Sequence, residues 1–102
     1  MSRRAKLEAL LAQTPEDTFL GYGLAMEMIK EGDTPAGVAQ LERVIDANPD
    51  YQAAYFQLGQ VLAQEGEVEQ ARTWIVRGVD AARRIGDAHA AAEMEGFLLT
   101  LE

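Results

Sequence analysis

The chain repeats itself every 34 residues, and a period of that length admits few folds. Pro15 and Pro49 stand one period apart, as do Gly32 and Gly66. Each of those glycines sits between acids, in Glu31-Gly32-Asp33 and Glu65-Gly66-Glu67. Laying 18–51 over 52–85 pairs Leu24 with Leu58, Arg43 with Arg77, Asp46 with Asp80 and Ala47 with Ala81. Conservative matches join Tyr22 to Phe56, Met28 to Leu62, Leu41 to Ile75 and Ile45 to Val79. The matches fall on apolar and turn positions, where an array of stacked units needs them. Self-similarity on this scale marks units that bury one face against their neighbours.

The phase of the period divides the chain. Leu7, Leu10 and Leu11 fall one period before Leu41, Val44 and Ile45, so 1–17 reads as the second helix of a half unit. Two full units follow, 18–51 and 52–85. The remaining 86–102 reads as a capping helix, with Met94, Phe97, Leu98 and Leu101 at helical spacing. A single all-α domain of six helices is predicted, over 3–13, 17–31, 35–47, 52–65, 68–84 and 87–101. Thr14-Pro15-Glu16-Asp17 offers a cap, a first-turn proline and an acid for the second helix, and Asp33-Thr34-Pro35 offers the same for the third. Asp87 can cap the last. Gly32, Gly66 and Gly86 suit the left-handed conformation that ends a helix. No segment alternates with period two, so strands are not expected.

Composition narrows the function. The 102 residues are 48% apolar and 25% charged, as in globular domains. Nine basic against seventeen acidic residues leave a net charge of −8, which disfavours nucleic acid and anionic membranes. Cysteine is absent, so disulfides, thiolate metal sites and cysteine catalysis drop out together. No apolar run approaches the ~20 residues of a membrane span. The basic start, Met1-Ser2-Arg3-Arg4-Ala5-Lys6, precedes too short an apolar stretch for a secretory signal, so a cytoplasmic protein is expected.

The pattern resembles the tetratricopeptide repeat (TPR) family over nearly the whole chain. The family's alternation of large and small residues is carried by Tyr55, Leu58, Gly59, Leu62, Gly66, Ala71, Ile75 and Gly78 in the second unit. In the first it is carried by Leu24, Ala25, Met28, Gly32, Gly37, Leu41, Val44 and Pro49. Small residues at Ala25, Gly37, Gly59 and Ala71 let paired helices approach closely. Two departures stand out. Gly21 replaces the large aromatic expected opposite Tyr55, which should loosen the first pair. Arg83 stands where a proline would close the second repeat, which predicts a longer fifth helix. The stretch from Leu10 to Ala25 is also similar to short stand-alone bacterial proteins of this family.

The resemblance implies a right-handed superhelix of antiparallel helix pairs whose concave face receives a peptide or helix from a partner protein. Carried over one by one, the groove positions are Phe19, Tyr22, Met26, Ile29 and Lys30 in the first repeat. In the second they are Ala53, Phe56, Gln60, Ala63 and Gln64. Helical geometry gives the first set weight independently. At about 100° per residue, Phe19, Tyr22, Met26 and Ile29 form a stripe roughly 80° wide, separate from the face of Leu20, Leu24 and Met28. Two apolar faces call for a second covering body. An apolar or amphipathic segment of a partner is expected there, since the groove lacks the cluster of cations that clamps terminal carboxylates and holds only Lys30. A homodimer through the same stripe is the alternative, and packing of the stripe into the core is open as well.

Catalytic and metal chemistry find little support. His89 is the sole histidine, among alanines, with Glu93 at i+4 as a surface partner. Glu65, Glu67 and Glu69 read as a solvated turn, with weak capture of a divalent cation as the alternative, and no phosphate loop is present. Arg72, Arg77, Arg83 and Arg84 form a basic patch on one helix, with Asp80 as a candidate partner or an acidic protein as ligand. Trp74 is expected to pack across its pair. No enzyme, no cofactor and no metal is expected.

Overall fold

A computed structural model describes residues 2–101 as six helices: α1 (Arg3–Gln13), α2 (Thr18–Lys30), α3 (Thr34–Ala47), α4 (Gln52–Gln64), α5 (Val68–Arg84) and α6 (Ala88–Leu98). No strand occurs among the described residues. The chain divides into two compact units, Met1–Asn48 and Pro49–Glu102. The first holds α1–α3 and the second α4–α6.

One joint recurs three times. Gly32, Gly66 and Gly86 have φ of 90°, 83° and 77°, a region only glycine enters cheaply. Behind each glycine the next N–H reaches five residues back: Asp33 to Met28 at 2.9 Å, Glu67 to Leu62 at 2.9 Å, Asp87 to Ala82 at 2.8 Å. That bond closes the end of one helix. In two joints the same acid opens the next helix, its carboxylate accepting from Ala36 N (3.4 Å) for Asp33 and from Ala90 N (3.0 Å) for Asp87. Connectors this short return each helix antiparallel to the one before.

The other boundaries show local competition. Thr14 does not cap α2; its hydroxyl donates to the Leu10 carbonyl at the end of α1, and Asp17 caps instead, accepting from Leu20 N at 2.9 Å. The last helix stops at Leu98, short of 101. The N–H groups of Leu99, Thr100 and Leu101 turn to carbonyls three residues back, and the Thr100 hydroxyl donates to Phe97 O at 2.6 Å. This tightened end buries Leu101, whose carbonyl accepts from Arg72. The fifth helix is long as predicted, with 17 residues against 14 in α3.

In the first unit the buried residues lie on α2 and α3: Leu24, Ala25, Met28, Leu41, Val44 and Ile45. Helix α1 contributes none. It lies along α2 with Leu7 over Gly23, and ion pairs fix it: Arg3 to Glu27 at 3.2 Å, Arg4 to Asp33 at 3.0 Å and to Glu31 at 3.4 Å. In the second unit Ile75, Val79, Ala82, Ala90, Ala91 and Met94 form one cluster across α5 and α6. Fully burying a valine, isoleucine or methionine side chain such as Val79, Ile75 or Met94 stabilises by about 1.5–3 kcal/mol. Solvent-screened ion pairs add far less, so the apolar seams hold the fold and the charges only orient α1.

Candidate protein-binding surface

Helix α2 carries apolar surface that its neighbours in the first unit leave uncovered. Its Gly21, Ala25 and Ile29 side faces α3: a Cβ on Gly37 would stand 2.5 Å from Ile29 Cγ1 and 3.3 Å from the Ala25 carbonyl. Its Gly23 and Glu27 side faces α1. Between these two flanks lie Phe19, Tyr22 and Met26. Phe19 is 75% exposed, while Tyr22 and Met26 are half-buried. Ile29 therefore leaves the predicted stripe: half-buried, it tucks over Gly37 in the seam of the pair. Lys30 is exposed at the helix end.

The second repeat presents a different surface. Phe56 is half-buried and meets Phe97 edge-on, with centroids 5.7 Å apart and planes at 61°. Helix α6 thus supplies a ring for Phe56 that periodicity alone did not foresee. Gln60 and Ala63 are half-buried and Gln64 is exposed.

The predicted basic patch is dispersed. Arg83 pairs with Glu95 at 2.6 Å, Arg84 with Asp50 at 3.0 Å, and Arg72 with the Leu101 carbonyl. Arg77 lies 4.3 Å above the Trp74 ring and 5.8 Å from that of Tyr55. Trp74 packs across the pair, 6.2 Å from Tyr55. His89 pairs with Glu93 at 3.2 Å on the surface of α6. Among the described residues no three His, Cys, Asp or Glu side chains converge as metal ligands. None of the helices described is long and apolar enough to cross a membrane.

The first unit also holds a concavity away from the Phe19 face. It is a half-open cleft of about 180 Å³ where the end of α1, the 14–17 turn, α2 and α3 converge, lined by Leu11, Pro15, Gly21, Gln40, Arg43 and Val44 among others. Gln40 is buried; its amide donates to the Gly21 carbonyl at 3.3 Å, and its oxygen accepts from Arg43 at 3.0 Å. The sequence signal for it is Gly21, small where the second repeat has Tyr55.

Short-looped antiparallel helix pairs with small residues at the seams define a helical-repeat scaffold, a class that generally serves protein–protein interaction. The family model for the tetratricopeptide repeat matches residues 28–93. TPR repeat-containing protein PA0015 of Pseudomonas aeruginosa is 30% identical over 96 residues, covering 94% of this chain and 91% of that protein. The chain belongs to the tetratricopeptide repeat family. Solved relatives agree. A TPR domain protein from Salinibacter ruber is 28% identical with a TM-score of 0.82, covering 86% of this chain and 89% of its own. Protein BPP2914 from Bordetella parapertussis is 29% identical with a TM-score of 0.83, covering 99% and 88%. SycD, a type III secretion translocator chaperone of Yersinia enterocolitica, shares the fold alone: TM-score 0.86, 13% identity, 96% of this chain and 68% of that one.

Proposed function

We propose that this chain is a non-enzymatic interaction module that holds an apolar or amphipathic segment of a partner protein against α2. The observation that carries the reading is Phe19. A phenylalanine 75% exposed in the first turn of a well-packed helix adds nothing to the core, and it shares its face with Met26. A partner helix laid along α2 gains burial from both residues. Lys30 at the end of the same helix would orient an acidic end of the segment.

The test compares wild type with Phe19→Ser in capture from lysate of the native organism, after both have been melted. Loss of a captured protein at unchanged melting temperature supports the reading. Equal capture by both sinks it. Light scattering from nanomolar to micromolar concentration supplies the second arm. A dimer that Phe19→Ser dissolves would replace the partner with a second copy of this chain.

A further inference from the structure

The two repeats fill one equivalent space differently. In the second, Tyr55 on α4 is 2% exposed and rests on Gly78, where an added Cβ would stand 2.6 Å from the tyrosine Cβ. Trp74 and Arg77 flank its ring, and its hydroxyl donates to the Pro49 carbonyl at 2.7 Å. One period earlier the corresponding residues are Gly21 for Tyr55, Val44 for Gly78, Gln40 for Trp74, Arg43 for Arg77 and Pro15 for Pro49. All five line the cleft of the first unit. Val44 leans toward Gly21, with its Cγ2 only 3.2 Å from where a Cβ would be. Val44 and Gln40 together do not replace two large rings, and a space of about 180 Å³ remains. An apolar cavity of about 150 Å³ suffices for benzene.

We propose that this cleft seats the side chain of a tyrosine presented by a partner protein, in the place the second repeat fills with its own Tyr55. Leu11 and Val44 give the ring apolar walls. Arg43 corresponds to the arginine that lies over Tyr55, and Pro15 to the residue whose carbonyl takes the phenol hydrogen. Gln40 is pinned at both ends of its amide, so the wall it forms is set before a ligand arrives. Glu16 and Asp17 also line the cleft, in a chain of net charge −8, so the tyrosine that fits best carries lysine or arginine beside it. This site is distinct from the Phe19 face.

The test is a ¹H–¹⁵N NMR titration of the full chain with three acetylated, amidated tripeptides: Lys-Tyr-Lys, Lys-Phe-Lys and Glu-Tyr-Glu. Saturable shifts confined to Leu11, Gly21, Gln40 and Val44 are expected with Lys-Tyr-Lys. Lys-Phe-Lys should bind roughly 2- to 10-fold more weakly, the worth of one neutral hydrogen bond, and Glu-Tyr-Glu more weakly still. Gly21→Tyr/Val44→Gly, which rebuilds the second repeat's arrangement, should abolish the shifts. Ala47→Trp, at an exposed position on the cleft lining, should do so without touching the core. Phe19→Ala should leave them unchanged, separating this site from the α2 face. Absence of saturation, shifts that survive Ala47→Trp, or equal affinity for the tyrosine and phenylalanine peptides would overturn the assignment.

Discussion

Ile75 occupies the space directly above Gly59: a Cβ on that glycine would stand 2.3 Å from Ile75 Cδ1 and 2.4 Å from Cγ1. Ile75 is fully buried, so it has nowhere to retreat. The first repeat makes the same close approach with the partners exchanged between helices, Ile29 of α2 over Gly37 of α3. Gly59→Leu should overpack the α4–α5 seam and cost about 1–3 kcal/mol. Gly96 is helical with nothing within 4 Å of an added Cβ. Gly96→Ala should therefore stabilise by about 0.5–1 kcal/mol. Thermal melts of the two variants should move in opposite directions.

Phe19 and Tyr55 separate surface from core. Phe19→Ala should change folding stability by less than about 0.5 kcal/mol, the usual range for an exposed position. Tyr55→Ala removes a buried ring and its hydrogen bond to Pro49, and should cost about 3–5 kcal/mol. Urea titrations of both variants check the pair. A loss of several kcal/mol for Phe19→Ala would place that ring in the core.

Glycine at the joints is needed for backbone reasons. Gly86 has φ of 77° and open space around it, so Gly86→Ala meets strain but no clash. The expected cost is about 1–2 kcal/mol, and Gly32→Ala should match it. A variant that melts like wild type would show that the joint relaxes without glycine.

Acid should loosen α1. Arg4, through its hydrogen bond to Asp33, holds that carboxyl below its ordinary 3.8, helped by the Ala36 N–H. A depressed folded value means the contact is fully present above about pH 4 and is lost as pH falls through the folded value. Asp33→Asn keeps a capping side chain and deletes the charge. Its melting temperature should lie below wild type at pH 7, and the gap should close as pH drops below about 4.

The repeat register was readable because its joints are encoded locally. A glycine with positive φ specifies the helix end at Gly32, Gly66 and Gly86, and at two of the three joints the acid after it, Asp33 or Asp87, also caps the next helix. Thr14 looks like a cap along the sequence, but two helix ends compete for its one hydroxyl, which goes to Leu10 at the end of α1 while Asp17 caps α2. On α2 the apolar period showed a second face but not which of its members the neighbours claim. Ile29 goes to Gly37, and Phe56 in the next repeat goes to Phe97, because α3 and α6 approach from directions that no spacing records. Gly21 stood out as an anomaly in the pattern. Its cleft also depends on Val44 and Gln40, which looked unremarkable along the chain.

The three-residue joints carry a kinetic consequence. Extensive helix contacts join α1 to α2, α2 to α3, α4 to α5 and α5 to α6, all neighbours along the chain. Loops so short lose little entropy on closing, and proteins dominated by local contacts fold on the order of microseconds to milliseconds. A chain built this way exposes its apolar seams only briefly after synthesis, which shortens the interval in which they can aggregate.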